Sequence, residues 1–509
     1  MLKRLLAAVL VGLCASTAPA LAAPTDSNTV RIQAAFEFSS LDPTRSGYVF
    51  TRMQLLETLI NVDDQGRLTP GLAASWQVSA DGRVWELSLR EGVRFHDGTA
   101  LDAQIVVDNL NLALGKPSVL QGVPITAIET VGTTGVRISL SEPYRPLGAV
   151  LANYSTAILA PAAVDADGEV KALIGTGPFS VYEITVPHKL VVQRFDDYWG
   201  RKAEVEYASY LTGHRAEARV LQARSGQADI VFGLDPASVP MLSRLPNLEI
   251  VRSDLPRTLA LKLNAAYPLL SDPRTREALS LAIDRLGIAG AILHAPEAAT
   301  DQLLPPYMAD WYVQDVQAAR DLERAAALLT ELGWHKNGEG LLEREGQVFE
   351  LDLITYADRP ELTSVATAVQ DQWKQLGVRL NVNVTNSSAI PAGHQDGSLE
   401  VALIARNYGT IADPLGVLMK DFGSEQGGDW GSMNWSNPAI QHSLQRLTAE
   451  SDPERYHREA QQVARAIHAE KPLIAIAYYV QQSAVGKRLQ GFRFDPYERS
   501  YFLNELNWR

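Results

Sequence analysis

Residues 84–110 read VWELSLREGVRFHDGTALDAQIVVDNL. Trp85, Leu87 and Leu89 alternate with Glu86, Ser88 and Arg90, the period of a strand with one buried face. Asp81-Gly82 before it and Asp97-Gly98 after it are turn dipeptides. Asp102 is placed to cap a helix by accepting from free backbone N–H groups. Val106, Val107, Leu110 and Leu114 then follow at helical spacing and form one apolar stripe. His96 and Asp97 sit side by side at the strand end. Neighbours on an extended chain point to opposite faces, so they make a poor acid–base pair and read as punctuation between strand and helix.

The same alternation of elements continues downstream. ARDLERAAALLTELGW at 319–334 reads as an amphipathic helix ended by Gly333, and VFELDLITYA at 348–357 as a strand. Residues 361–385 read as a helix closed by Gly377, then another strand. This order predicts a mixed α/β sheet with helices on its faces. PLIAIAYYVQQSAVG at 472–486 is a long β-rich run suited to connecting two bodies. At 509 residues the chain is too long for one core, so two or three domains are expected.

The N-terminus has a basic start (Lys3, Arg4), an apolar run from Leu5 to Leu13 and a small-residue end, the layout of a secretory signal peptide. The A-x-A pattern of Ala20 and Ala22 places cleavage after Ala22. The formal net charge is -13, which disfavours nucleic acid and anionic lipid as partners. Cys14 is the one cysteine and lies inside this segment; a lipid anchor there requires a small residue where Leu13 stands. A large exported chain without disulfides fits a bacterial periplasm.

Catalytic spacing is scarce. The sequence has no H-E-x-x-H, no G-x-x-x-x-G-K-S/T and no G-x-S-x-G. Its 9 histidines form no i, i+4 helical pair, so neither a metal site nor a cofactor is expected. Asp63-Asp64 and Asp196-Asp197 fall in turn-like contexts. A secreted hydrolase with acid–base carboxylates is the alternative to a binding protein.

Residues 55–110 resemble the signature region of the bacterial extracellular solute-binding proteins of family 5, which serve peptide and nickel ABC importers. Leu41-Asp42-Pro43, the GTGPF turn at 175–179, FDDYWG at 195–200 and DPRTREALSLAIDR at 272–285 match that family in order. The resemblance implies an α/β, two-lobed periplasmic binding protein fold (type II, cluster C) with a small domain inserted in lobe I. Mapped here, lobe I takes 24–60, 175–260 and 483–509, the insert 61–174 and lobe II 261–482. It further implies a monomer that holds a small polar ligand between its lobes, and delivers it to a permease and ATPase subunits in the inner membrane.

One stretch looks like a site. LIARNYGTIADPLGVLMKDFG at 403–423 leaves an apolar strand, turns, and re-enters a helix at Asp413-Pro414. Ligands of open α/β sheets bind outside the carboxyl ends of strands, which nominates Arg406, Asn407 and Tyr408. In the resembled family this loop faces the cleft. Its R-x-(aromatic)-G-x-x-x-D-P pattern lies nearer the nickel- and metallophore-binding branch, with Arg406 meeting an anionic group and Tyr408 forming an aromatic wall. Trp430, in a Gly-rich loop, is a candidate lid; Tyr48, Phe50 and Arg52 are further cleft candidates. The chain departs from nickel binders at Asn111, in the arginine-free run 151–161 and in the histidine-free loop 423–435. Short peptides, metal chelates and opine-like conjugates remain the ligand classes.

Overall fold

The computed structural model describes residues 23–314 and 319–509. The signal segment, its cleavage point and Cys14 lie outside the described residues. Among those residues no helix is long and apolar enough to cross a membrane.

A ten-stranded mixed sheet runs through the molecule in the order Arg379–Thr385, Glu350–Tyr356, Val401–Asn407, Leu248–Leu263, Leu473–Gly486, Ile230–Val231, Thr29–Ala34, Tyr207–Thr212, Lys189–Arg194, Phe179–Thr185. Its first three strands belong to one lobe and its last five to the other. The two long central strands pair antiparallel and join them. At about 3.3 Å per residue, strands of 16 and 14 residues are long enough to traverse both bodies. Their register shifts between Leu255 and Thr258. Pro256 falls in that irregularity, where its missing N–H costs no ladder bond. A bulge bends the strand and re-aims its side chains, and Arg257 is the residue so displaced.

Each body has its own apolar core. One is built around Leu353, Trp373, Leu403 and Ile476, another around Val30, Phe50, Val192 and Tyr210. A third holds Trp85, Leu87, Leu89, Val106, Val107 and Leu110. The opening stretch is thus a strand (Val84–Leu89) in a four-stranded antiparallel sheet, followed by the helix Ala103–Leu114. The Asp102 carboxylate accepts from Ile105 N at 2.9 Å, as a cap should.

His96 is a latch. Its Nδ1 accepts from Gly175 N at 3.2 Å, and its Nε2 lies 3.0 Å from the Gly177 carbonyl, where it donates. The ring is half-buried, edge-on to Phe195. Burial lowers its pKa to about 4, so the neutral tautomer ties the turn at 95–98 to the GTGPF turn. Glu57 gathers the next motif: it accepts from Thr176 Oγ1 (2.8 Å), Tyr198 Oη (2.8 Å) and Trp199 Nε1 (2.9 Å). Three donors satisfy a carboxylate whose pKa burial has raised. The motifs that carry the resemblance are therefore joints between elements. In the helix Pro273–Leu281, Arg276 does the same work by donating to the carbonyls of Leu270, Ser271 and Glu470.

Candidate functional site

Where the two lobes face each other, a cavity is lined by both and by the strands between them. The first lobe contributes Ala34 to Phe36 from the end of the strand Thr29–Ala34 and Arg52 from the last turn of the helix Pro43–Arg52. Phe494, Glu498 and Tyr501 come from the C-terminal segment. The connecting strands contribute Arg257, Tyr479 and Gln481; the second lobe contributes Asp358, Arg359 and Pro360.

Three guanidiniums converge on one buried carboxylate. Arg52 Nε donates to the Glu498 carbonyl at 2.6 Å and its Nη2 lies 3.4 Å from Glu498 Oε1. Arg257 Nη2 pairs with Glu498 Oε2. Arg359 adds its field without a direct bond and stacks against the faces of Tyr479 (4.9 Å) and Phe36 (6.0 Å). Burial alone would raise the Glu498 pKa, but Arg257, Arg52 and Arg359 outweigh it and hold the carboxyl down at about 2. The reverse holds for Arg257: burial lowers its pKa first, and the like charge of Arg359 lowers it further. Arg257 is 5% exposed and its Nε has no hydrogen-bond partner. One carboxylate has only four lone-pair sites for three forked donors, so donors are left over. Asp358, also on the lining, is exposed at the rim and screened by water.

A second cavity shares Gly233, Tyr479 and Gln481 with the first. It offers acceptors. Glu361, in the first turn of the helix Pro360–Leu376, has an unpartnered Oε1, and burial raises its pKa. Gln482 Oε1 is likewise buried without a partner. The two adjoining cavities thus hold an unspent donor, Arg257 Nε, and unspent acceptors, with Glu361 in the field of Arg359 and Arg257.

The residues nominated by sequence divide. Arg52 lines the cavity. Tyr48 stands behind it, its ring 5.7 Å from the Arg52 guanidinium, its hydroxyl bonded to the Glu37 carbonyl and its edge on Tyr154. Phe50 points into the first lobe's core against Phe38, because helical spacing turns it away from the face that carries Arg52. Asn407 lies directly opposite Arg257 across the strand pair, and its Oδ1 accepts from Gly409 N at 2.8 Å. Arg406 makes a two-pronged pair with Asp421 of the helix Leu415–Phe422, at 2.7 and 2.6 Å. Tyr408 is fully buried in the second lobe with its hydroxyl unpartnered. Trp430 packs edge-on to Tyr356 at 5.9 Å. Its loop is tethered, since Lys262 Nζ donates to the carbonyls of Gly428 (3.0 Å) and Gly431 (2.7 Å), and Ser432 binds back to the Asp421 carbonyl. A lid needs slack that these bonds remove.

Sequence reading missed Arg257, Arg359, Glu361, Tyr479 and Glu498. One signal was present. Ala357-Asp358-Arg359-Pro360 follows an apolar strand and opens a helix with proline, the same strand-exit logic that singled out Arg406. Arg257 had no such mark, because a bulge aims it.

Comparison with known proteins adds the following. Residues 67–429 match the model of the bacterial extracellular solute-binding proteins, family 5 Middle. The nickel-binding periplasmic protein of Escherichia coli (strain K12) is 24% identical over 450 residues, 84% of each chain. The glutathione-binding protein GsiB of Salmonella paratyphi A is 26% identical over 521 residues, covering 96% of this chain and 95% of that one. The crystal structure of NikA from Brucella suis in complex with Fe(III)-EDTA superposes with a TM-score of 0.86 at 23% identity, covering 94% of this chain and all of that one.

Proposed function

Because the chain belongs to the bacterial extracellular solute-binding proteins of family 5, we propose that it is the periplasmic receptor of an ABC importer, and that its ligand is a small molecule with a carboxylate or similar anionic group held by Arg52, Arg257 and Arg359. One observation carries this reading: three guanidiniums, drawn from both lobes and the strand between them, gather at Glu498, with Glu361 also in the field of Arg359 and Arg257, and leave Arg257 Nε unused. A planar fork of donors matches a carboxylate in two bonds. The same charge repels a bare cation, so a metal would enter only inside an anionic chelate.

Glu361 Oε1, in the field of Arg359 and Arg257, and Gln482 Oε1 are unpartnered acceptors that suit an ammonium or amide donor on the same ligand. A short peptide or an amino acid conjugate carries both ends. The role foreseen for Arg406 thus passes to Arg257 and Arg359, while Arg406, Tyr408 and Trp430 brace the strand that backs the cleft. The ligand touches both lobes only when they are closed, so binding shifts the population toward closure. No bond is made or broken; partner ATPase subunits supply the energy of transport. The hydrolase alternative finds no support among the relatives, which are binding proteins.

Native mass spectrometry of protein purified from its own periplasm tests the reading. The expected result is a retained small molecule with at least one anionic group, lost in Arg359→Met. A retained cation without an anionic group, or full retention by the variant, would overturn it.

A further inference from the structure

In the first lobe, beside cleft-lining Phe36 but with their side chains exposed, Glu37, His188 and His214 meet. They come from three separate segments: the loop after the strand Thr29–Ala34, the turn between Phe179–Thr185 and Lys189–Arg194, and the loop after Tyr207–Thr212. His188 Nδ1 lies 3.2 Å and His214 Nε2 2.9 Å from Glu37 Oε1. One donor atom from each of the three lies within 4.8 Å of the others, and the imidazole rings stand nearly perpendicular, 5.9 Å apart.

We infer that these three side chains form a surface site for a divalent first-row transition metal, of the Zn²⁺ or Ni²⁺ type. Bonds of about 2.0–2.2 Å to imidazole nitrogen and carboxylate oxygen place adjacent donor atoms roughly 3 Å apart, which is the spacing seen here between Glu37 Oε1 and each imidazole nitrogen. Two nitrogens and one oxygen suit this class of ion. Calcium and magnesium take oxygen donors instead. The side chains are 40%, 52% and 59% exposed for Glu37, His188 and His214, which leaves the remaining coordination positions open to water.

The frame is built independently of any metal. Phe38 N donates to the Pro187 carbonyl, Thr212 N to the His188 carbonyl and Gly213 N to the Ala34 carbonyl. Tyr210 Oη and Thr212 Oγ1 both donate to the Phe36 carbonyl. Buried Arg219 clasps the carbonyls of Gly213 and His214 from below. The three segments are cross-stitched, so the donors are preorganised and little ordering is left for the ion to impose. A hydrogen-bonded His–Glu–His cluster alone is the competing account.

Titration of untagged, chelator-washed protein with ZnCl₂ by calorimetry separates the two. One saturable equivalent is expected. Its affinity should fall at least about tenfold in the His188→Ala/His214→Ala double variant, since loss of a mere outer-shell partner already costs 10–100-fold. Cu²⁺ bound at one equivalent to the unaltered protein should show hyperfine coupling to two nitrogens in electron paramagnetic resonance, a readout free of any folding defect in the variant. No saturable binding, an unchanged affinity in the double variant, or a Cu²⁺ spectrum without two nitrogen ligands would overturn the site.

Discussion

Arg406 and Arg257 stand on adjacent paired strands, one register position apart, and so face opposite sides of the sheet. On one side, Arg406 and Asp421 close on each other, one fork to one carboxylate. Lys262, beside them, spends its protons on loop carbonyls. On the other side three arginines share Glu498, and a buried donor is left over. The residue type is the same; the count of partners differs. A satisfied buried charge holds a fold together, whereas an oversupplied one is available to a ligand.

That contrast is breakable, and the largest effect belongs to the closed pair. Asp421→Asn removes the buried carboxylate that pairs with Arg406 and should cost about 3–5 kcal/mol in stability, read by urea unfolding. Ligand retained by the folded fraction should change little. If it vanishes instead, the Arg406 side belongs to the binding site after all.

Arg359→Met should do the opposite. Retained ligand in native mass spectra should fall about 30-fold or more, the cost of about 2 kcal/mol for stripping one partner from a buried charge pair. Stability should move by under about 1 kcal/mol, because one of three like charges is removed. A variant that unfolds as readily as Asp421→Asn would erase the distinction.

Acid sharpens it next. The Glu498 pKa is depressed from 4.5 to about 2 by the neighbouring guanidiniums. Its contribution is therefore complete above pH 4.5 and is lost as the pH falls toward 2. Unfolding free energies measured across that window should decline in the wild type, and the decline should be shallower in Glu498→Gln.

The smallest effect lies on the alkaline side. Burial lowers the Lys262 pKa from 10.5 to about 7. Between those values the unfolded chain binds a proton that the folded chain lacks, so stability should rise as the pH goes from 7 to 10.5. Lys262→Met should flatten that rise. A rise left intact in this variant would assign it to another group.

Much of the frame was legible before any coordinates. Strands and caps were readable at Trp85 to Leu89, Asp102 and Gly377 because side-chain periodicity and positive-φ glycine are local properties. The family resemblance was readable in the motifs around Glu57 and His96, although what those motifs do, tying turn to turn, is visible only in three dimensions. The long strand near 472–486 was recognisable from β-branched and aromatic enrichment. Its partner, Leu248–Leu263, carries Pro256 inside a bulge, so its full length shows only in the fold.

The site divides in the same manner. Arg52 lines the cavity, while Arg406 and Tyr408 obeyed the strand-exit rule yet turned inward. Local sequence says where a side chain is anchored along an element; it does not say which charge will be waiting on the far side of the sheet. Glu498 is 241 residues from Arg257 and 446 from Arg52, and Glu37 is 151 and 177 positions from the two histidines it meets. The order of elements, the caps and the family were thus determined by the chain's own short-range pattern. Which arginine is satisfied and which is left with donors to offer was decided by tertiary packing, because electrostatic partnership depends on distance in space and on exclusion of water, and neither is written in neighbouring residues.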